Sequence, residues 1–262
     1  MRIGRVAEVK WEVREVCRRL KLERLDARDE IYGATHDGKT ICLCLSGMVP
    51  ALAKERMNRF LDTERLDLMI CSGLAGALKP HVRIGELIVQ SDDADLVGIA
   101  EKALTRRNIR FHVGPLVTVS QPVLTPAARH ALAATTSAIA VDMESQTIAK
   151  LCRERHISCL AMKGVSDDID DDLSPILGGF DVINIPRIAI GVVAKPRTWP
   201  LAARLARHSY RAANNLGMGY GRRWSTWAHG AVSDHHCQLH DNTTPLRATF
   251  IETARGLLFR LI

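Results

Sequence analysis

Aromatic residues make up only 5% of this 262-residue chain, which leaves few platforms on which unpaired bases could stack. Long apolar runs are also missing. None approaches the 18 or so residues that a membrane-spanning helix needs. The N-terminus carries Arg2, Arg5, Glu8 and Lys10 and so lacks the apolar core of a signal peptide. The seven cysteines form no Cys-x-x-Cys pair and no disulfide-like spacing. Cys42, Cys44 and Cys71 fall in apolar segments, where free cysteine behaves as a small buried hydrophobe. A reducing, cytoplasmic setting is therefore expected. The net charge is +7, but it is not gathered into one run. Together with the scarcity of aromatics, this argues against a nucleic-acid partner.

What is present is an alternation of short apolar segments with helical patterns over the first two hundred residues. Ile41 to Leu45, Leu68 to Cys71, Ile84 to Val89, Leu116 to Ser120, Ala138 to Val141 and Ile157 to Met162 read as strands. Pro50 to Leu61, a segment opened by Pro126, Ser145 to Arg155 and Asp181 to Val193 read as helices. The pattern predicts an α/β fold, a three-layer sandwich with a mixed central sheet flanked by helices. Residues 1–195 would form the main domain, 196–221 a basic amphipathic helix, and 222–262 a tail of uncertain structure. In the predicted helix Leu201 to Leu216, Leu201, Leu205, Ser209 and Leu216 share one side, and Arg204, Arg207 and Arg211 line another.

Two acidic positions stand out. Glu144, in Val141-Asp142-Met143-Glu144-Ser145, lies where a strand gives way to a helix. Asp167, in Val165-Ser166-Asp167, lies just past the following strand. In a parallel sheet the ends of successive strands lie side by side at the edge where ligands bind, so both carboxylates could face one small molecule. Either acid alone is also what a helix start favours. A third segment, Cys71-Ser72-Gly73, reads as a Gly-rich turn whose backbone N–H groups could approach an anion or a water. Asp168, Asp170, Asp171 and Asp172 lack the alternation, central glycine and final glutamate of a calcium loop and read as a solvated loop. His235, His236 and Cys237 have donor atoms for zinc but no matching spacing, so no metal site is assigned.

These motifs, in this order, resemble the nucleoside phosphorylase and nucleosidase superfamily. The segments Met69 to Leu78 and Ile84-Gly85-Glu86-Leu87-Ile88-Val89 are similar to that superfamily's strand, Gly-rich turn and strand, and Met1-Arg2-Ile3-Gly4 with Glu12-Val13 is similar to 5'-methylthioadenosine/S-adenosylhomocysteine nucleosidases, the whole resemblance covering roughly residues 1–195. The resemblance implies cleavage of the N-glycosidic bond of an adenine-type purine nucleoside. It implies that Met143 and Glu144 hold the ribose and that Asp167, paired with Ser166, protonates the departing purine. Glu12 would activate water, and Ser72 and Gly73 would orient that water or a phosphate. The chain departs from the family at Ala7 to Trp11 and at Met48-Val49. A degenerate member that binds nucleosides without turnover is the non-enzymatic alternative.

No cofactor is implied, apart from inorganic phosphate as co-substrate if the bond is cleaved by phosphorolysis. Superfamily phosphorylases usually bind phosphate through arginine, and no arginine precedes Ser72-Gly73. Hydrolysis is therefore the first expectation. Pro200 to Arg207, after a proline-broken segment, resembles the tail of hopanoid-associated phosphorylases, which act on an adenosyl lipid. That likeness implies a peripheral membrane contact through the C-terminal helix. The other reading packs this helix on its own domain with its arginines in solvent. The superfamily resemblance also implies a homo-oligomer.

Overall fold

The computed structural model describes residues 2–7, 17, 21–26, 31–36, 39–46, 50–178 and 195–218. Glu12, the predicted helix Asp181 to Val193 and the histidine-rich tail 222–262 lie outside the described residues.

Among the described residues ten strands form one mixed sheet: β1 (Arg2–Ala7), β2 (Glu23–Asp26), β3 (Ile31–His36), β4 (Lys39–Leu45), β5 (Leu68–Ala77), β6 (Leu87–Gln90), β7 (Phe111–Val113), β8 (Leu116–Thr118), β9 (Ala140–Asp142) and β10 (Ser158–Asp167). The main path runs β2-β3-β4-β1-β5-β10-β6-β7, and β9 joins β5 to β8. The centre, β4-β1-β5-β10, is parallel, while β2, β3, β6 and β9 add antiparallel pairings. The sheet is accompanied by the helices α1 (Pro50–Glu64), α2 (Ala94–Arg106), α3 (Pro126–Thr135), α4 (Ser145–Arg153), the single turn α5 (Ser174–Leu177) and α6 (Trp199–Met218).

Side chains alternate across a strand, and the core divides accordingly. Leu43, Leu68, Ile70, Leu160 and Met162 pack on one face with Leu96, Ile99 and Leu104 of α2 and Leu216 of α6. Cys42, Cys44, Met69, Cys71 and Ala161 pack on the other with Phe60 of α1 and Ile148 and Leu151 of α4. The predicted three-layer sandwich is the observed fold. Cys42 and Cys44 share one face of the sheet, as the alternation required, and Cys71 of β5 packs on the same side.

Helix α6 belongs to this core. It buries Ala212, Ala213 and Leu216, and it approaches β10 so closely that a Cβ on Gly164 would lie 2.9 Å from the Ala212 carbonyl. Asn215 donates to the Gly85 carbonyl (2.6 Å), and Gly85 has a φ of +86°, a conformation that favours glycine. Arg204, Arg207 and Arg211 are exposed, the arrangement expected of a helix packed on its own domain.

Two central strands run further than their apolar segments. β5 continues through Ser72 and Gly73 to Ala77, so the expected turn at Cys71-Ser72-Gly73 is not formed. β10 continues through Lys163 to Asp167. The two extensions explain each other. Lys163 and Gly73 are register partners, and the missing side chain of Gly73 makes room for the lysine: a Cβ there would lie 3.0 Å from Nζ.

Candidate active site

The site grows from the junction of β9 and α4. Asp142 ends β9 and is fully enclosed; it accepts from the Ser145 backbone N–H (3.0 Å) and the Ser145 hydroxyl, capping the helix, and from the Thr118 hydroxyl (2.7 Å). Glu144 holds the N-cap position but makes no capping hydrogen bond. Its role as a helix-start acid is thus taken by Asp142. Its carboxylate instead accepts from Lys163 Nζ at 3.0 Å, and the same ammonium lies 3.0 Å from Asp142.

Lys163 is 0% exposed. A buried ammonium is costly unless it is paired, and here two carboxylates answer it. Burial works against ionisation of Asp142. The Lys163 charge and the hydrogen bonds from Ser145 and Thr118 outweigh it and hold that carboxyl below its ordinary value. Sequence reasoning missed Lys163; its signal was a lone cation following the apolar stretch Leu160-Ala161-Met162.

Glu144 and Lys163 open on a cleft walled by Val6 and Ala7 at the end of β1, Ser46 after β4, Cys71 and Ser72 of β5, and Ile148 of α4. Pairing of β1 with β5 ends at Val6 and Cys71, and pairing of β9 with β5 begins at Gly76. Between them that edge of β5 has no register partner among the described residues, beside Ser72 and Gly73. Ser72 lines the cleft from within a strand, not from the expected turn. Cys71 is no nucleophile there: burial pushes its thiol up to about 12, so it stays protonated. Met143, next to Glu144, is half-buried.

Asp167 closes β10 just past a register shift between Val165 and Asp167, an irregularity of the kind that re-aims side chains near active sites. It does not line the cleft of Glu144; its carboxylate lies over Gly76, where a Cβ would come within 2.6 Å of Oδ2. The Ser166 hydroxyl donates to Oδ1 of Asp167, and its oxygen also lies 3.3 Å from the Ala75 carbonyl. Oδ2 is ion-paired with Arg129 of α3, another residue that sequence reasoning missed. Burial raises the Asp167 carboxyl above its ordinary value, against the opposing pull of Arg129 and the Ser166 hydroxyl. The acidic run after it is only partly solvated. Asp171 accepts from the Asp168 N–H (2.8 Å) and pairs with Arg204 of α6 (2.7 Å).

Among the described residues no cluster of three or more His, Cys, Asp or Glu side chains is placed to hold a metal ion. The arrangement presents two acids of different character. Glu144 is paired with a cation beside a cleft, and Asp167 is enclosed with its proton affinity raised by burial.

Comparison with known proteins finds similar sequences and folds. Residues 93–181, which include α3, β9, α4 and β10, match the Phosphorylase superfamily. The chain is 26% identical over 203 residues to a 5'-methylthioadenosine/S-adenosylhomocysteine nucleosidase of Buchnera aphidicola, covering 66% of this chain and 86% of the relative. In fold it is similar to a nucleosidase of the same name from Colwellia psychrerythraea, solved with adenine, at a TM-score of 0.64 and 18% identity, covering 82% of this chain and 90% of that one. It is also similar to futalosine hydrolase of Helicobacter pylori, at a TM-score of 0.63 and 15% identity, covering 82% of this chain and 95% of that one.

Proposed function

We propose that this chain, similar to the Phosphorylase superfamily over residues 93–181 and to a nucleosidase over 203 residues, cleaves the N-glycosidic bond of an adenine-type purine nucleoside by hydrolysis. The observation that carries this reading is the freedom of Glu144 from helix capping. Its carboxylate faces a cleft beside Ser72, held by a buried lysine.

Breaking an N-glycosidic bond builds positive charge on the sugar and negative charge on the leaving base. Glu144 accepts hydrogen bonds from the ribose hydroxyls, and its charge favours the cationic sugar. Met143 covers the apolar side of the ribose. Asp167, aligned by the Ser166 hydroxyl, donates a proton to the purine ring nitrogen. Glu12 deprotonates the attacking water. It follows Ala7, at the rim of the cleft, by five residues, so the extended chain reaches at most about 17 Å from there. Ser72 and Gly73 orient the water through the open edge of β5.

Lys163 bears on the choice of nucleophile. A cation does stand beside Ser72 and Gly73, but Asp142 and Glu144 more than neutralise it, leaving the group with one net negative charge. Phosphate would meet that charge unfavourably, whereas neutral water would not. No cofactor is called for. The test is purine release from adenosine and 5'-substituted adenosines, with and without phosphate, by the wild type and by Asp167→Asn. Retention of more than about a tenth of the rate by the variant would remove Asp167 as the acid, since general acids contribute about a hundredfold or more.

A second reading, in which the nucleoside carries a lipid, draws on α6. Trp199 is 54% and Tyr210 70% exposed, with Arg207 and Arg211 exposed nearby, and such a surface suits contact with anionic lipid. No helix among the described residues is long and apolar enough to cross a membrane. Co-sedimentation with anionic vesicles, lost in Trp199→Ser/Tyr210→Ser, tests it.

A further inference from the structure

The Arg129 guanidinium is 2% exposed and is held from three sides. Its Nε donates to the Val123 carbonyl (3.1 Å), and one terminal nitrogen donates to the Asp168 carbonyl (3.0 Å) and pairs with Asp167 Oδ2. Two loops that flank Asp167 thereby fix a charge that cannot be titrated away. Beside it, Gly76 lets the pair settle onto β5: a Cβ there would lie 2.6 Å from Asp167 Oδ2 and 2.9 Å from Arg129. These residues form an anchored, charged clamp on one carboxylate.

We propose that Arg129 is the positioning residue of the general acid: it aims Asp167 and sets the pH above which turnover stops. The proposal rests on Asp167 being that acid. Asp167 must carry a proton to protonate the purine, so turnover falls as pH rises through its proton affinity. Burial raises that affinity, and the negative charge of Asp171 raises it further. Arg129 and the Ser166 hydroxyl pull it down. Other charges nearby are themselves answered: Arg204 pairs with Asp171, and Arg83 lies 3.7 Å from Asp168. Loss of the Arg129 charge therefore moves the upper pH limit of turnover upward. A merely structural role would lower the rate at every pH without moving that limit.

The experiment is the pH profile of kcat for adenine release by the full chain. Arg129→Gln drops the charge but keeps a donor for a backbone carbonyl. Its upper limb should move up by a pH unit or more, about a tenfold change in proton affinity. Arg129→Lys keeps the charge, and its limb should stay within about half a unit of the wild type. An unmoved limb in folded Arg129→Gln, or an equal upward shift in Arg129→Lys, overturns the proposal. Should Arg129→Gln not fold, Arg129→Lys decides alone: an unmoved limb upholds the charge's role, and a shift of a unit or more removes it. Asp167→Asn is assayed alongside. If it keeps its rate, the reading of Asp167 as the acid fails, and that failure is distinct from an unmoved limb in an enzyme that Asp167→Asn has silenced.

Discussion

An enclosed ammonium persists only where opposite charges stand close to it, and Lys163 has two at 3.0 Å. The pair is asymmetric. Asp142 is fully enclosed and spends its remaining acceptor capacity on Ser145 and Thr118, whereas Glu144 keeps about a fifth of its side chain exposed. One carboxylate fixes the lysine, and the other is presented by it. Glu144→Gln should accordingly leave the fold intact and erode the preference for ribosyl over deoxyribosyl substrates. Parallel assays on adenosine and 2'-deoxyadenosine check this, and an unchanged preference with unchanged rate would remove Glu144 from the sugar. Lys163→Met should behave differently. It leaves two carboxylates facing each other without a cation, and removing one partner of a buried ion pair costs about 3–5 kcal/mol. Urea unfolding reads that loss directly.

At the scale of elements, glycines decide how closely helix and strand approach. A Cβ on Gly164 would lie 2.9 Å from the Ala212 carbonyl and 3.0 Å from the Ala212 Cβ, so the α6–β10 contact has no slack. Gly164→Val should lower stability by about 1–3 kcal/mol through overpacking. Thermal unfolding of this variant checks it, and an unchanged midpoint would mean that α6 can lift without cost. Gly73 and Lys163 show the same logic, and they explain what could be read in the sequence. The apolar segments Leu68 to Cys71 and Ile157 to Met162 were legible as strands because they alternate onto two core faces. Their continuations were not, since Ser72-Gly73 carries turn chemistry and Lys163 is a residue rarely buried. Each becomes intelligible only beside the other. Glu144 and Asp167 were legible as acids near the C-terminal ends of strands, Glu144 just after β9 and Asp167 closing β10. Arg129 was not, because it sits in a helix distant in sequence, and its partner is fixed by tertiary packing alone.

The molecule as a whole keeps its site by charge, and that gives it a characteristic acid response. The Asp142 carboxyl is held below its ordinary value of 3.8. A carboxyl depressed in the folded state contributes stability that is present above its unfolded value and lost as pH falls through its folded value. Unfolding midpoints should therefore drop below about pH 4. The drop should be smaller in Asp142→Asn, which already lacks that contribution at neutral pH. Equal drops in the two proteins would place the acid sensitivity elsewhere.

The same charge balance bears on the proposed choice of nucleophile. Phosphate entering the cleft would have to give up hydration, and it would meet Glu144, Asp142 and a lysine already committed to both. Only the backbone dipoles of the open β5 edge would offset that loss, without a free charge-assisted partner among the described residues of the cleft. Water has no such barrier and needs one carboxylate within hydrogen-bond reach to deprotonate it, the role assigned to Glu12. The rate of adenine release should then be almost the same in phosphate-free buffer as in millimolar phosphate. The sugar product should be free ribose or a 5'-substituted ribose, and Glu12→Gln should slow release by about a hundredfold or more. Saturation of the rate with phosphate, or a sugar 1-phosphate among the products, would make the enzyme a phosphorylase. It would also mean that Lys163 releases one of its carboxylates when the anion binds.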